Sequence, residues 1–227
     1  MKEGSLLRVA LIGAAVTFGG SMLAPSARAD SFTFDLTASN LAASFTGPFV
    51  EVTVDRTSTT TATITFDSLT NGGFTYLMHS NGAAAVNVNA TSFTGSVIST
   101  TNSLSGFGVP SGTFVNPGQE DGFGTFNAGV DLADGFKQSA TEIKFSLTNT
   151  SGTWTTALSV LTANGGGNVA AAQIGACPTT CSGTSSFTAT GFAGGVPGPI
   201  VGAGLPGLVM ACGGLVVLAR RRREKIV

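Results

Sequence analysis

Short runs of alternating apolar and polar residues dominate the chain between residues 30 and 199. This alternation is typical of β-strands with one buried and one solvated face. No long stretch has the 3.6-residue period of an amphipathic helix. The regular runs are residues 32–36, 50–54, 62–66 and 143–147. Less regular strand candidates are residues 74–78, 84–89, 92–98, 124–130, 154–161 and 186–190.

Turn signals separate these predicted strands. Residues 71–73 (Asn-Gly-Gly) and 81–82 (Asn-Gly) favour the positive φ of tight hairpins. About ten short strands at this spacing predict an all-β ectodomain, a β-sandwich of jelly-roll-like form rather than a closed barrel. We expect this domain over residues 30–181. A Gly/Ser/Pro-rich tether is expected over residues 182–199, with a flexible end.

The low content of charged and catalytic residues argues against nucleic-acid binding and against enzyme activity. Charged residues make up 10% of the 227 residues, and the chain has one His, one Trp and one Tyr. Three basic residues stand against ten acidic ones between residues 30 and 199. An acidic surface repels phosphate backbones, so we expect no nucleic-acid partner. Because so few groups suited to catalysis are present, we also expect no enzyme activity and no cofactor.

The first 29 residues have the organisation of a secretory signal peptide. Lys2 and Arg8 flank the start of an apolar stretch, and Ala27 and Ala29 present the small side chains of a signal peptidase site. Cleavage is expected before Asp30, with signal peptidase and the Sec-type export machinery as partners. An uncleaved N-terminal membrane anchor is the alternative interpretation.

Residues 200–219 carry no charge and predict a transmembrane helix. Twenty helical residues span about 30 Å, the thickness of the hydrocarbon core of a bilayer. A basic cluster follows at once, and such clusters stay in the cytoplasm. The cluster consists of Arg220, Arg221, Arg222 and Arg223. We therefore expect a cytoplasmic tail over residues 220–227 and an ectodomain that is exported and held at the inner membrane.

The segment from residue 196 to residue 223 resembles the PEP-CTERM sorting signal. The residues that match its motif and the core of its helix are Val196, Pro197, Gly198, Pro199, Gly204, Leu205, Pro206 and Gly207. Gly198 stands where the usual motif has Glu. The resemblance implies processing near the motif by an exosortase-like membrane enzyme, followed by release or transfer to the cell surface. It also implies a bacterium that makes exopolysaccharide. A plain one-pass anchor without processing is the alternative.

A second resemblance covers residues 121–174. The runs DGFGTFNAGVDLADGF and SLTNTSGTWTTALSVLTANGGGNVAAAQI look like a recurring ectodomain of PEP-CTERM proteins. This resemblance implies secretion and a β fold. It supplies no activity and no catalytic residue.

Two cysteines and the single histidine are candidates for chemistry outside the sorting signals. Cys177 and Cys181 lie four residues apart in an exported segment, which favours a structural disulfide. A redox site and a zinc site are the alternatives for this pair. His79 lies beside the turn at residues 81–82, and we expect it to be a solvated loop residue.

A cluster of acidic residues is a candidate for calcium binding. Glu120, Asp121, Asp131 and Asp134 place four of the ten acids within 15 residues. Ca²⁺ takes carboxylate and carbonyl oxygens as ligands, although no EF-hand pattern is present. Ordinary solvated turns are the alternative interpretation. No other metal site is expected.

These observations predict an exported surface or extracellular-matrix protein of structural or interaction type. Exopolysaccharide is a candidate partner. A secreted carbohydrate-binding module is the alternative, for which Trp154 and Tyr76 are the aromatic residues with a polar edge. A third hypothesis is a secreted hydrolase that uses a pair of carboxylates.

Overall fold

A computed structural model describes residues 29–116, 118–183 and 185–197. The predicted signal peptide lies outside these residues except for Ala29, as do the predicted transmembrane helix and basic tail. The strands, in chain order, are β1 (Asp30–Leu36), β2 (Ala38–Ser39), β3 (Val50–Arg56), β4 (Thr61–Ser68), β5 (Thr70–Asn71), β6 (Phe74–Met78), β7 (Ala84–Val86), β8 (Phe93–Thr101), β9 (Gly112–Val115), β10 (Gly118–Glu120), β11 (Gly124–Phe126), β12 (Ala128–Leu132), β13 (Glu142–Asn149), β14 (Ala170–Pro178) and β15 (Ala189–Gly195).

The regular alternating runs form the first sheet, which has five antiparallel strands in the order β1, β3, β4, β13 and β8. Its register aligns the apolar positions of the four runs in rows across the sheet. Val54 lies opposite Ile64, Ile64 lies opposite Phe145, and Phe145 lies opposite Val97. Because side chains alternate between faces, this register turns one apolar face toward the core and leaves Thr, Ser and acidic residues outside.

The second sheet packs against that apolar face. Its strands follow the order β2, β15, β14, β7, β12 and β9, with β6 also paired to β14 and β5 paired to β6. One core cluster joins the two sheets, with Val54 and Ile64 from the first sheet and Val130 and Ile174 from the second. The all-β prediction is thereby confirmed, and two packed sheets are the arrangement of a β-sandwich.

Strand β14 lies in the middle of the second sheet and is buried on both faces. Ala170, Ala172 and Ile174 face the core between the sheets. Ala171 faces outward and belongs to a second cluster with Ala85, Phe123 and Phe126. The β10–β11 hairpin supplies the phenylalanines, and it covers the outer face of this sheet. Small residues suit such a strand because layers approach it from both sides.

The structure corrects the predicted boundary between domain and tether. Residues 182–199 are predicted to be a tether with one candidate strand at residues 186–190, but residues 189–195 form β15, which pairs with β14 over seven residues. Glycine in this strand allows close packing, and a Cβ at Gly194 would collide with the Phe123 ring. The folded domain therefore extends through Gly195 rather than ending at residue 181.

The predicted strand at residues 154–161 is also wrong. This segment forms a 3₁₀-helix over Ala157–Val160 instead. The Thr156 hydroxyl accepts a hydrogen bond from the Ser159 amide, and the Ser159 hydroxyl accepts one from the Thr156 amide. This reciprocal capping box fixes the start of a helical turn, which the apolar run alone does not reveal.

Candidate functional site

The N-terminal end of the described domain is fixed by the Asp30 side chain. Asp30 begins β1 and lies opposite Arg56 at the end of β3. Its Oδ1 is 2.6 Å from Nε of Arg56, and its Oδ2 accepts a hydrogen bond of 2.7 Å from the Ala157 amide. Arg56 is buried and also donates to the Ser58 carbonyl over 3.2 Å. The residue expected to start the mature chain is thus tied to two other elements of the fold.

The C-terminal end of the described domain lies close to the same strand. Strand β15 ends at Gly195, and Val196 and Pro197 of the predicted sorting motif follow it. Pro197 lines an apolar cleft of about 200 Å³ together with Phe32 and Phe34 of β1. Asp30 and Pro197 therefore both lie along β1, the edge strand of the first sheet, and Asp30 binds the amide of Ala157, another residue of this cleft.

Several sorting residues named from the sequence lie outside the described residues. They are Ala27, Gly198, Pro199, Gly204, Leu205, Pro206, Gly207, Arg220, Arg221, Arg222 and Arg223. Within residues 29–197, with the gaps given above, no helix has the length and apolar character to cross a membrane. The predicted membrane helix at residues 200–219 is outside that range.

Cys177 and Cys181 form a disulfide in the structure, with their Cα atoms 5.9 Å apart. Cys177 is buried at the end of β14, and the Cys181 amide donates to the Pro178 carbonyl over 2.7 Å. The disulfide closes the turn that follows β14, a central strand of the second sheet. The arrangement is that of a structural crosslink.

His79 is buried, so its predicted position in a solvated loop is wrong. Only 6% of its surface is exposed, and its ring lies 4.6 Å from that of Phe187. The Nδ1 atom is 3.0 Å from Oγ of Ser80, and this hydroxyl donates a hydrogen bond of 2.6 Å to Asp134. Burial lowers the pKa of His79, which favours the neutral imidazole.

His79 and Ser80 belong to a bulge between β6 and β7, opposite Gln173 of β14. The His79 amide donates to the Gln173 carbonyl, and the Gln173 amide donates to the Gly82 carbonyl. Ser80 has a φ of 57° and Gly82 a φ of 70°, values that a regular strand does not contain. Such bulges re-aim side chains and backbone groups, and here the bulge directs the Gly82 amide to the Asp131 carboxylate.

Two carboxylates approach this bulge at Gly82. The Gly82 amide donates a hydrogen bond of 2.7 Å to Asp131, and a Cβ at this position would collide with the Glu120 carboxyl group. Glu120 is buried, with 3% of its surface exposed. Burial, followed by the charge of Asp131, raises the pKa of Glu120 to about 7. At neutral pH the Glu120 carboxyl group is therefore protonated in a substantial part of the molecules.

The four calcium candidates are distributed around this bulge without forming a ligand set. Glu120 and Asp131 meet at Gly82, Asp134 binds the Ser80 hydroxyl, and Asp121 is exposed at the tip of the β10–β11 hairpin. No group of three or more His, Cys, Asp or Glu residues in the described part of the chain is arranged to hold a metal ion.

The two aromatic residues considered for sugar stacking are buried. Tyr76 has no exposed surface, and Trp154 has 1%. The Trp154 indole donates a hydrogen bond of 2.8 Å to the Asn89 carbonyl, so its polar edge is used within the fold. Neither ring presents a face on which a glycan could stack.

A polar groove lies beside Trp154. It has a volume of about 470 Å³ and is lined mainly by amide and hydroxyl side chains, with no charged residue among them. Its polar lining residues are Asn89, Thr91, Asn149, Ser151, Thr153 and Thr162. This surface can donate and accept hydrogen bonds toward a neutral ligand.

Sequence reasoning missed Arg56 and the burial of Glu120. Arg56 is the one Arg between residues 30 and 199, and it follows directly on an alternating run. A lone Arg at the end of a predicted strand is a signal for an ion pair with a nearby acidic side chain. Glu120 has no comparable signal, because its burial depends on a hairpin folding over the outer face of a sheet.

Comparisons of the chain with protein-family models, with curated proteins and with solved structures find no match.

Proposed function

We propose that this chain is an exported surface or extracellular-matrix protein of structural or interaction type. In this proposal the N-terminal signal is removed before Asp30, and residues 200–219 hold the precursor at the membrane. An exosortase-like enzyme then processes the chain near residues 196–199, as the resemblance to PEP-CTERM signals implies. The proposal assigns no catalytic activity to the β-sandwich.

One observation carries the proposal. The first strand of the described domain begins at Asp30 and the last ends at Gly195, so both predicted processing sites fall just outside the folded unit. A peptidase needs an extended segment, and removal of either flank leaves every described strand intact. The disulfide between Cys177 and Cys181 also suits an oxidising compartment.

The proposed processing is tested with a C-terminally tagged full-length chain expressed in a bacterium that has an exosortase. Replacing Pro197 and Pro199 together by Ala is expected to reduce conversion of the tagged precursor to the mature form at least tenfold. The matched control is the double change Ser186→Ala and Thr188→Ala in the exposed segment just before β15. The proposal fails if the proline variant is converted at the rate of the control, or if the surface form keeps the tag.

The polar groove favours carbohydrate binding as a second candidate function. Its uncharged amide and hydroxyl lining suits neutral sugars better than charged ligands. Titration calorimetry with the exopolysaccharide of the host would measure this binding. Replacing Thr91 and Thr153 by Val should weaken it, whereas Thr94→Val on the exposed face of β8 should not. Trp154→Ala is not a suitable test of this binding, because truncating a buried indole would disturb the fold.

A further inference from the structure

The apolar cleft along the β1 edge of the sandwich lies within a few residues of the predicted membrane segment. Besides the β1 phenylalanines, the cleft is lined by Leu158 and Leu161 from the 3₁₀-helix segment, and by Pro197. From Pro197 only Gly198 and Pro199 separate it from Ile200, where the uncharged run begins.

Chain length restricts how far the cleft can stand from the bilayer. Three residue steps from Pro197 to Ile200 span at most about 10 Å when fully extended. The headgroup layer of one leaflet is itself about 5–8 Å thick. While residues 200–219 span the membrane, Pro197 therefore lies within the headgroup layer or at most about 5 Å beyond it.

The side chains at this surface suit that environment. Leu158 and Val196 are 42% and 53% exposed, and they are two of the four exposed large apolar residues in the described part of the chain. The other two, Ile98 on β8 and Val109 between β8 and β9, do not line the cleft. Leu158 projects beside the cleft on the same 3₁₀-helix whose Ala157 amide is held by Asp30. A fixed apolar patch next to a membrane anchor gains free energy by covering itself with lipid.

We infer that this surface is a lipid-docking face. Phe32, Leu158, Val196 and Pro197 form it, and its occupant is the boundary between headgroups and acyl chains of the leaflet from which the ectodomain emerges. The inference rests on the proposed function, because it requires the membrane anchor. It assigns the ectodomain of the precursor a fixed orientation. The β1 edge of the sandwich faces the membrane, and the sorting motif is held at the membrane surface. A membrane-embedded processing enzyme would find its substrate in that position.

The test uses the full chain reconstituted in vesicles of phosphatidylethanolamine and phosphatidylglycerol. Cys212→Ser removes the free thiol, and a fluorophore is attached either at Ala163→Cys or at Thr94→Cys. Ala163 is exposed beside the cleft, whereas Thr94 is exposed on β8. Strand β8 is at the opposite edge of the first sheet from β1, four strand spacings or about 19 Å away. Lipids with a nitroxide on the headgroup quench a fluorophore that lies close to them.

Docking predicts at least twofold stronger quenching at position 163 than at position 94. To separate docking from the pull of a short tether, ten Gly/Ser residues are inserted between Pro199 and Ile200. In this longer chain, Leu158→Ser with Val196→Ser should lower the quenching at position 163 by half or more. The matched control, Ile98→Ser with Val109→Ser, should leave it unchanged.

The outcomes distinguish the inference from the proposed function. If the chain stays with the vesicles after carbonate extraction but positions 163 and 94 are quenched equally, the docking face is refuted and the anchor stands. If the quenching at position 163 is the same with and without the Leu158 and Val196 substitutions, lipid docking is also refuted. That result is expected if a protein covers the surface, or if the label is merely close to the membrane. If the chain does not stay with the vesicles, the proposed anchor itself fails, and the inference fails with it.

Discussion

The ion pair between Asp30 and Arg56 joins the start of the domain to its interior. Arg56 is 5% exposed, and a buried guanidinium needs compensating charge and hydrogen bonds. Asp30 supplies the charge through Oδ1 and, through Oδ2, satisfies the Ala157 amide at the first turn of the 3₁₀-helix. One side chain thus connects β1, β3 and the segment that carries Leu158.

Asp30→Asn is therefore expected to destabilise the domain. The amide keeps the size of the side chain but removes the charge that faces Arg56, at a cost of about 1–3 kcal/mol. In thermal unfolding this corresponds to a Tm lower by roughly 3–10 °C for a domain of this size. The control is Asp35→Asn on the same strand, where the register partner is Glu51 and no attraction is lost. Equal Tm values for the two variants would show that the ion pair does not anchor the strand.

Glu120 makes the stability of the domain depend on pH. Its pKa is raised to about 7 in the folded protein, from an ordinary value of 4.5, by burial and by Asp131. A raised pKa means that the folded state holds the proton more tightly than the unfolded chain. The resulting stabilisation is complete below pH 4.5 and is lost as the pH rises from there through about 7. His79 acts in the opposite sense: its lowered pKa gives a stabilisation present above pH 6.5 and lost as the pH falls.

Glu120→Gln should remove the contribution of Glu120 and leave that of His79. Between pH 5 and pH 8 the free energy of unfolding of the native protein should fall by about 1–2 kcal/mol relative to that of the variant. Urea unfolding of both proteins across this range measures the difference, and the contribution of His79 cancels. A constant difference between the two curves would mean that Glu120 does not titrate in this window.

At the scale of elements, β15 is the strand on which the extent of the domain depends. It lies between β2 and β14 in the second sheet, and its Gly194 contacts the Phe123 ring of the outer cluster. Without β15, one side of β14 would lose its seven-residue partner. The core cluster would also lose Ala193, and the outer cluster would lose Phe192. The strand is thus part of the core rather than a linker.

A chain that stops after Thr188 is therefore expected not to fold, whereas a chain that stops after Pro197 is expected to fold as the full domain does. Circular dichroism and the cooperativity of thermal unfolding distinguish these results. The longer chain is the control for truncation itself. Cooperative unfolding of the shorter chain at a similar Tm would restore the original assignment of residues 182–199 to a tether.

The difference between predicted and observed strands has a physical pattern. The four regular runs became β1, β3, β4 and β13, because each has one face in the core and one in water. Strand β14 escaped prediction because it is buried on both faces and has no alternation to detect. The candidate strand at residues 186–190 covers only the first two residues of β15, because the glycines that follow resemble a linker in composition but here allow close packing. The alternation of apolar and polar residues predicts a strand only when one face of the strand is buried and the other is exposed to water.

The candidate sites were predictable to a similar extent. Cys177 and Cys181 could be paired from their spacing, because the loop they close is local. The burial of His79 and Glu120 could not be foreseen, since it arises from a bulge and a hairpin brought together across the outer face of the second sheet. The cleft beside Pro197 likewise combines β1, the 3₁₀-helix and the end of β15, which are far apart in sequence.

At the scale of the whole molecule, the β-sandwich lies between two predicted sorting signals, one before Asp30 and one after Gly195. Pro197 lines the cleft beside β1, and Asp30 binds the amide of Ala157, another residue of that cleft. The proposed export, anchoring and processing would therefore all act near the β1 edge of the sandwich. The opposite edge of the first sheet and the polar groove remain exposed to the surroundings. If the chain is sorted as proposed, the neutral groove would be accessible to matrix components.

The intact mass of the mature protein from its native cell tests this central claim most directly. Mass spectrometry of the membrane and medium fractions should give a chain that begins at Asp30 and ends near Pro199, with the disulfide formed. A mature chain that retains residues 220–227 would contradict processing and indicate a permanent one-pass anchor. A chain that ends before Gly195 would contradict the domain boundary, because it would lack part of β15.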